Sequence, residues 1–321
     1  MRLTTYRDAR TLRLGIVSER GVLDVRAAAD ALGVDTTTTP RAFFAAGNAA
    51  LPSLRSLAHL AEAAPLEQSG QWYREPSTLE AAATVPDPGK IVCIGLNYVR
   101  HALESGLGVP DSPILFSKFN NTIAATNEPV TLPSVAEQCD YEAELVVVIG
   151  ARAHSVATEH ALDHVLGYCN GNDLSARDLQ TRTGQWLLGK TLDGFLPLGP
   201  YLVTADEVPD PQDLRVRCWL NGELRQDSNT RDMVFGVAEL VSYVSHYMTL
   251  EPGDVIATGT PEGVILGMQD PVWLQPGDEV TVEIGPLGRL VTPLVAPSTE
   301  TATQAAADTT ATATWTGRSD A

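Results

Sequence analysis

Tyr141-Glu142-Ala143-Glu144-Leu145-Val146-Val147-Val148-Ile149-Gly150 decides how the chain is read: two carboxylates two positions apart run straight into an unbroken β-branched stretch. Alternate residues of a strand share a face, and an apolar run of this length reads as a strand buried on both faces. Glu142 and Glu144 therefore project together from its entrance. At ~5 Å and an effective dielectric of ~20 their mutual repulsion is on the order of 3 kcal/mol. The fold must tolerate that repulsion, neutralise it by protonation, or offset it with a cation.

A third carboxylate favours the cation. In Gly167-Tyr168-Cys169-Asn170-Gly171-Asn172-Asp173-Leu174-Ser175-Ala176-Arg177-Asp178 an apolar stretch gives out at Asp173. Ser175 with Asp178 three residues on predicts a capping box that starts a helix. Glu142, Glu144 and Asp173, with no His or Cys pair nearby, form a hard all-oxygen donor set suited to Mg²⁺, with Mn²⁺ or Ca²⁺ as substitutes, and unsuited to Zn²⁺. Spacing alone also permits a plainer reading, solvated acids at a strand end and Asp173 as a turn cap.

Working outward, Pro86-Asp87-Pro88-Gly89 marks a boundary, and Ile91 to Ile94 begins a core strand. Residues 1–85 are expected to form a small α/β unit, with strands near Arg13 to Val17 and Val22 to Val25 and Ala-rich helices through Ala29 to Leu32 and Leu54 to Ala64. Residues 86–296 hold every motif. Val216 to Leu220 with Asn221-Gly222 predicts a hairpin, and Val237 to Met248 an amphipathic helix. From Pro297 to Ala321 the Ala- and Thr-rich chain has too little apolar bulk to offset the entropy of ordering and is expected to be disordered.

Composition narrows the function. At 321 residues and 44% hydrophobic content the chain can bury a substantial core. A formal net charge of −18 argues against nucleic acid and anionic membrane as partners, since phosphate binding rests on clustered Lys and Arg. No run approaches a membrane span. Cys93, Cys139, Cys169 and Cys218 lack metal spacing, and the opening residues lack a signal-peptide core, so a cytoplasmic location is expected.

Several other residues carry chemistry. Asn97 is placed to cap a short helix that Gly106 ends, putting His101 and Glu104 on one face at i and i+3. Such a pair is either an exposed ion pair or a carboxylate orienting an imidazole that moves protons. Lys90, Lys118 and Lys190 are the three lysines of an Arg-biased chain, and each lies in or beside a motif. Arg177 and Gln180, one helical turn apart, can reach a substrate carboxylate or keto oxygen, and Thr260 can offer its hydroxyl and backbone N–H.

The order Gly95-Leu96-Asn97-Tyr98 with His101 and Glu104, Glu142-Ala143-Glu144, Asn172 to Asp178, Gly184-Gln185-Trp186 with Gly189-Lys190, and Thr258-Gly259-Thr260-Pro261-Glu262-Gly263 resembles the fumarylacetoacetate hydrolase family from about Pro86 to Leu294. The resemblance is strongest to bacterial members acting on diketo acids. It implies an α+β, mainly β fold, a mixed β-sandwich roll with the small N-terminal α/β appendage, and a homodimer. It also implies a Mg²⁺-dependent hydrolase that cleaves a C–C bond in a 2,4-diketo acid, an acylpyruvate or diketo-deoxy sugar acid, to a pyruvate-type product and a carboxylic acid. Glu142, Glu144 and Asp173 would hold the metal, and His101 with Glu104 would activate water on a closing lid. Lys190 would stabilise an enolate, and Arg177, Gln180, Thr260 and Lys118 would contact the oxo-acid. Phe119-Asn120-Asn121 after Lys118 departs from the small residues common there. The same apparatus also serves an oxo-acid decarboxylase or a tautomerase or isomerase of oxaloacetate or hydroxymuconate type. An inactive metal-stabilised binding protein is the alternative of another class, although a retained base and oxyanion donor argue against it.

Overall fold

The computed structural model describes residues 1–106 and 108–297. The tail expected to be disordered therefore lies, beyond Pro297, outside the described residues, as does Leu107 of the expected lid.

In chain order the elements that matter are strands β1 (Arg2–Asp8), β2 (Thr11–Ser18) and β3 (Gly21–Asp24), then helices α1 (Val25–Leu32), α2 (Pro40–Ala46) and α3 (Leu51–Ala63). Next come β4 (Ile91–Gly95), α4 (Val99–Glu104), β5 (Ile114–Ser117), β6 (Ala143–Ile149) and β7 (Val165–Asn172). The short helices α5 (Arg177–Gln180) and α6 (Leu187–Lys190) precede β8 (Leu196–Thr204), the hairpin β9 (Arg215–Leu220) and β10 (Glu223–Asn229), and helix α7 (Val237–Tyr247). Strands β11 (Val255–Ala257), β12 (Glu279–Ile284) and β13 (Arg289–Val295) complete the set.

A twelve-stranded sheet carries β3-β2-β1-β8-β7-β6-β11-β4-β5 along its main path, and a second sheet of five strands contains β10-β9-β12-β13. The valine run of β6 is buried at every position and central, antiparallel to β7 on one side and to β11 on the other. Its two faces feed two separate cores. Ala143, Leu145, Val147 and Ile149 join α7 and the second sheet, whereas Val146 and Val148 join Phe43, Leu54, Leu57 and Leu198 beneath the N-terminal helices. The fold is mostly β with some helices, as expected.

Residues 1–85 continue the large sheet through β1, where Leu3 pairs with Leu202 of β8. Asp24 starts α1 by accepting from Ala27 N–H, and Gly33 ends it at φ 67°. Helix α3 buries Leu54, Leu57 and Ala61 along one stripe. Asn221 and Gly222, both at positive φ, turn the hairpin as predicted. Helix α7 matches its expected span to within one residue.

Two local expectations fail. Ser175 does not cap a helix: its hydroxyl donates to Asp173 O (2.9 Å), and α5, only four residues long, starts after Ala176. Tyr98, not Asn97, precedes α4. The Asn97 side chain is drawn inward because it satisfies the buried backbone of Phe235 and Thr258. No helix among the described residues is long and apolar enough to cross a membrane.

Candidate active site

Strand β6 and the end of β7 lock the acids together. Asp173 N–H donates to Glu142 O (2.9 Å), and Glu142 N–H donates to Asn172 Oδ1 (3.2 Å). One oxygen each from Glu142, Glu144 and Asp173 falls within 4.8 Å of the others, and all three residues are buried.

Three buried cations surround them. Lys190 Nζ bridges Glu142 Oε2 (2.6 Å) and Asp173 Oδ2 (3.0 Å). Lys118 Nζ meets Asp173 Oδ1 at 2.6 Å and donates to Leu174 O and Phe195 O. Arg177 donates to Glu142 Oε1 (2.7 Å), to Asp140 Oδ2 and to Gln180 Oε1. Four buried carboxylates thus face three buried cations, and among the described residues Glu144 has a single hydrogen-bond partner, the N–H of Gly259 at 2.9 Å.

Electrostatics follow from this placement. Burial opposes ionisation of Glu142, yet Lys190 and Arg177 outweigh it and hold the carboxyl below the ordinary range. Burial, together with the carboxylates of Asp173 and Glu142, pushes Glu144 well above that range. Burial also disfavours the charged form of Lys190, but Asp173 and Glu142 prevail and raise it. For Lys118 burial dominates the pull of Asp173, and its pKa is lowered. Three hard oxygen donors, one of them pushed toward its neutral form by burial and by the neighbouring carboxylates, fit a divalent cation.

Beside the triad lies a pocket of about 340 Å³ lined by His101, Glu104, Glu142, Glu144, Arg177, Gln180, Lys190 and Thr260. Leu96, Phe116, Trp186 and Leu266 supply its apolar walls. Trp186 stacks edge-on to Phe116 at 5.4 Å, and Lys190 Nζ lies 5.0 Å from the centre of the Phe116 ring. Gly189 is required next to Lys190, since a Cβ there would lie 2.4 Å from Ala176 O. Lys118 is buried beside Asp173, donating to two backbone carbonyls and in charge contact with Asp173 Oδ1.

On α4, His101 Nδ1 lies 3.7 Å from Glu104 Oε2, too far for a hydrogen bond, and has no partner among the described residues. Both Glu104 oxygens accept from Gly263 N–H at 3.1 Å, and Arg100 pairs with Glu262. The helix is therefore fastened to the 260s loop at two points.

Sequence reasoning missed Asp140 and Gln226. Asp140 accepts from the N–H groups of Ile265 and Leu266 and anchors Arg177, so it shapes the pocket wall. Its signal was present: Asp140, Glu142 and Glu144 continue one period of two. Gln226 lies on β10, more than fifty residues from every member of the triad in sequence, and no local pattern marks it.

A buried carboxylate triad with an ammonium between two of its members, opening on a small pocket, could hold a hard metal ion through oxygen donors. The model for the fumarylacetoacetate (FAA) hydrolase C-terminal family matches residues 90–295, and the chain belongs to this family. It is 40% identical over 301 residues to the oxaloacetate tautomerase fahd2, mitochondrial, of Xenopus laevis, with 92% of this chain and 90% of that protein covered. The solved fumarylacetoacetate hydrolase of psychrophilic Exiguobacterium antarcticum superposes with a TM-score of 0.74 at 32% identity, covering 92% of this chain and all of that one. A fumarylpyruvate hydrolase from Pseudomonas aeruginosa, solved with Mn²⁺ and pyruvate, superposes with a TM-score of 0.60 at 34% identity over 65% of this chain and 91% of that one.

These relatives correct two expectations. The C–C hydrolase reading gives way, because the frog protein, matched over nearly its whole length, is named a tautomerase. The motifs do not separate the two reactions, since both stabilise the same negative charge on a 2-oxo acid. The cytoplasmic location is overturned by the same protein, whose name places it in mitochondria; composition and cysteine usage do not resolve compartments that share a reducing interior. Members of the family are enzymes acting on small molecules.

Proposed function

We propose that the chain is a divalent-metal-dependent tautomerase that interconverts the enol and keto forms of an oxaloacetate-type oxo-diacid, with residues 86–296 as the catalytic region and 1–85 as its support. The observation that carries this reading is the unpartnered, buried His101 Nδ1 in the same pocket as the carboxylate triad and Lys190. A proton carrier thus shares a small pocket with groups that stabilise negative oxygen. Tautomerisation requires that pairing and no attacking water: a proton moves between a carbon and an oxygen, and no C–C bond breaks.

Glu142, Glu144 and Asp173 would hold Mg²⁺ or Mn²⁺, which supplies Lewis-acid charge for a 2-oxo acid. Lys190, kept charged by Asp173 and Glu142, offsets charge developing on the substrate oxygen. His101 takes and returns the proton, and Glu104 orients the imidazole once α4 settles on substrate. Thr260 and Gln180 contact the substrate's polar groups. Arg177 holds Glu142 in place, and Lys118 does the same for Asp173.

The test follows the decay of the ultraviolet absorbance of enol-oxaloacetate in buffer with Mg²⁺. Added protein should accelerate ketonisation, and EDTA should remove the acceleration. A rate equal to that of buffer and Mg²⁺ alone would overturn the reading.

A further inference from the structure

Gln226 is almost completely buried, yet every polar atom of its side chain is engaged. Its Oε1 accepts from Ala143 N–H at 3.0 Å, the one backbone donor between the acids Glu142 and Glu144. Because Ala143 N–H can only donate, the amide orientation is fixed and Nε2 must face the other way. There Nε2 donates to Thr260 Oγ1 (2.8 Å) and Pro261 O (2.9 Å), with Glu262 O at 3.4 Å.

Backbone features independently aim it there. The β9–β10 ladder shifts register between Cys218 and Trp219, so that Cys218 pairs with Gln226 but Trp219 with Leu224, and Arg225 bulges out. The 260s loop is pressed against that bulge. Gly263 sits at φ +97°, and a Cβ on it would lie 2.2 Å from Arg225 O.

We propose that Gln226 is a positioning residue that sets the direction of the Thr260 hydroxyl. By donating into Oγ1 it occupies that oxygen as an acceptor and leaves the Thr260 O–H free to donate into the pocket, toward an anionic oxygen of the substrate. At the same time it fixes the span between the acid-bearing strand and the loop. The inference rests on the oxo-acid reading of the pocket, so its test reads binding of a probe, oxalate in the presence of Mg²⁺, and not turnover.

Calorimetry on the full chain should give the following pattern. Thr260→Val weakens oxalate about tenfold and leaves Mg²⁺ affinity within twofold. Gln226→Glu, nearly isosteric, keeps an acceptor for Ala143 N–H but also presents an acceptor to Thr260, which turns the hydroxyl away from the pocket. It should weaken oxalate at least tenfold with Mg²⁺ affinity within threefold. Gln226→Met, without added charge, should weaken oxalate about tenfold.

Combining Thr260→Val with either Gln226 variant should add less than threefold, because one hydrogen bond has already been lost. Additive losses near a hundredfold, or a folded Gln226→Met with wild-type oxalate affinity, would overturn the proposal, as would a wild type that takes up Mg²⁺ but no oxalate. Should Gln226→Met fail to fold, the Gln226→Glu and Thr260→Val cycle decides alone. A wild type that binds oxalate with this pattern but does not ketonise enol-oxaloacetate would sink the tautomerase reading and leave the role of Gln226 standing.

Discussion

Two buried acidic sites in this molecule, one with a single carboxylate and one with four, do different things. In the N-terminal region Asp24 is buried, but it accepts from Tyr6 OH (2.9 Å), Arg13 Nη2 (3.0 Å) and Ala27 N–H (3.0 Å), with Arg74 near by. One acid there meets a complete ring of fixed donors. Around β6 and β7 four acids meet three cations, and among the described residues Glu144 is left with one backbone N–H. A buried carboxylate whose needs are met is structure; one whose needs are unmet is a place reserved for something that arrives.

The sharpest way to break that distinction is Glu144→Gln. Metal-dependent turnover should fall by roughly 10³-fold or more, since several kcal/mol of charge stabilisation go with the cation. The metal-free variant should melt no lower than wild type, because the substitution removes a carboxyl that burial and its neighbours already penalise. Mg²⁺ titration and melting in EDTA read both; tight Mg²⁺ binding by the variant would merge the two clusters into one kind.

Glu104→Gln separates proton handling from metal holding within the site. Turnover should drop by roughly 10²–10³-fold while Mg²⁺ affinity stays within twofold. An unchanged rate would confine Glu104 to fastening α4 onto Gly263.

Asp24→Asn gives the reverse pattern, a loss of about 3 kcal/mol of stability with Mg²⁺ affinity intact. Chemical denaturation with a parallel Mg²⁺ titration checks it. Loss of Mg²⁺ binding there would show that the two clusters communicate.

The smallest effect is one of pH. Burial raises the Cys139 and Cys169 thiols to about 12 from an ordinary 9.0. The neutral thiol is the favoured form, so its contribution is complete below pH 9 and lost as pH climbs through about 12. At pH 8 an aromatic disulfide reagent should find no reactive thiol in the native protein. Rapid labelling of Cys139 or Cys169 would show the core opening locally.

Much of this was legible in the chain itself. The Glu142–Ile149 run gave both a central strand and two ligand candidates, because period-two geometry ties sequence spacing to a face. The triad, the Asn221-Gly222 hairpin and α7 followed for equally local reasons. Less visible was anything fixed by partners distant in sequence: Asn97 looked like a cap and became a buried tie. Strand β8, nine residues long, runs through Pro197, Gly199 and Pro200, residue types that disfavour strand interiors. Gln226 was invisible because its partners come from the start of β6 and the 260s loop. The reaction itself was the least legible, since one electrostatic apparatus serves several outcomes.

Strand β6 has one more consequence. Its odd and even residues belong to different cores, so sliding it by a single position would evict both sets at once. A deletion or insertion of one residue between Glu142 and Ile149 should therefore be severely destabilising. The spacing of the two glutamates is inherited from the packing of the whole molecule, and the amides of Val146 to Val148 should exchange with deuterium only through global unfolding.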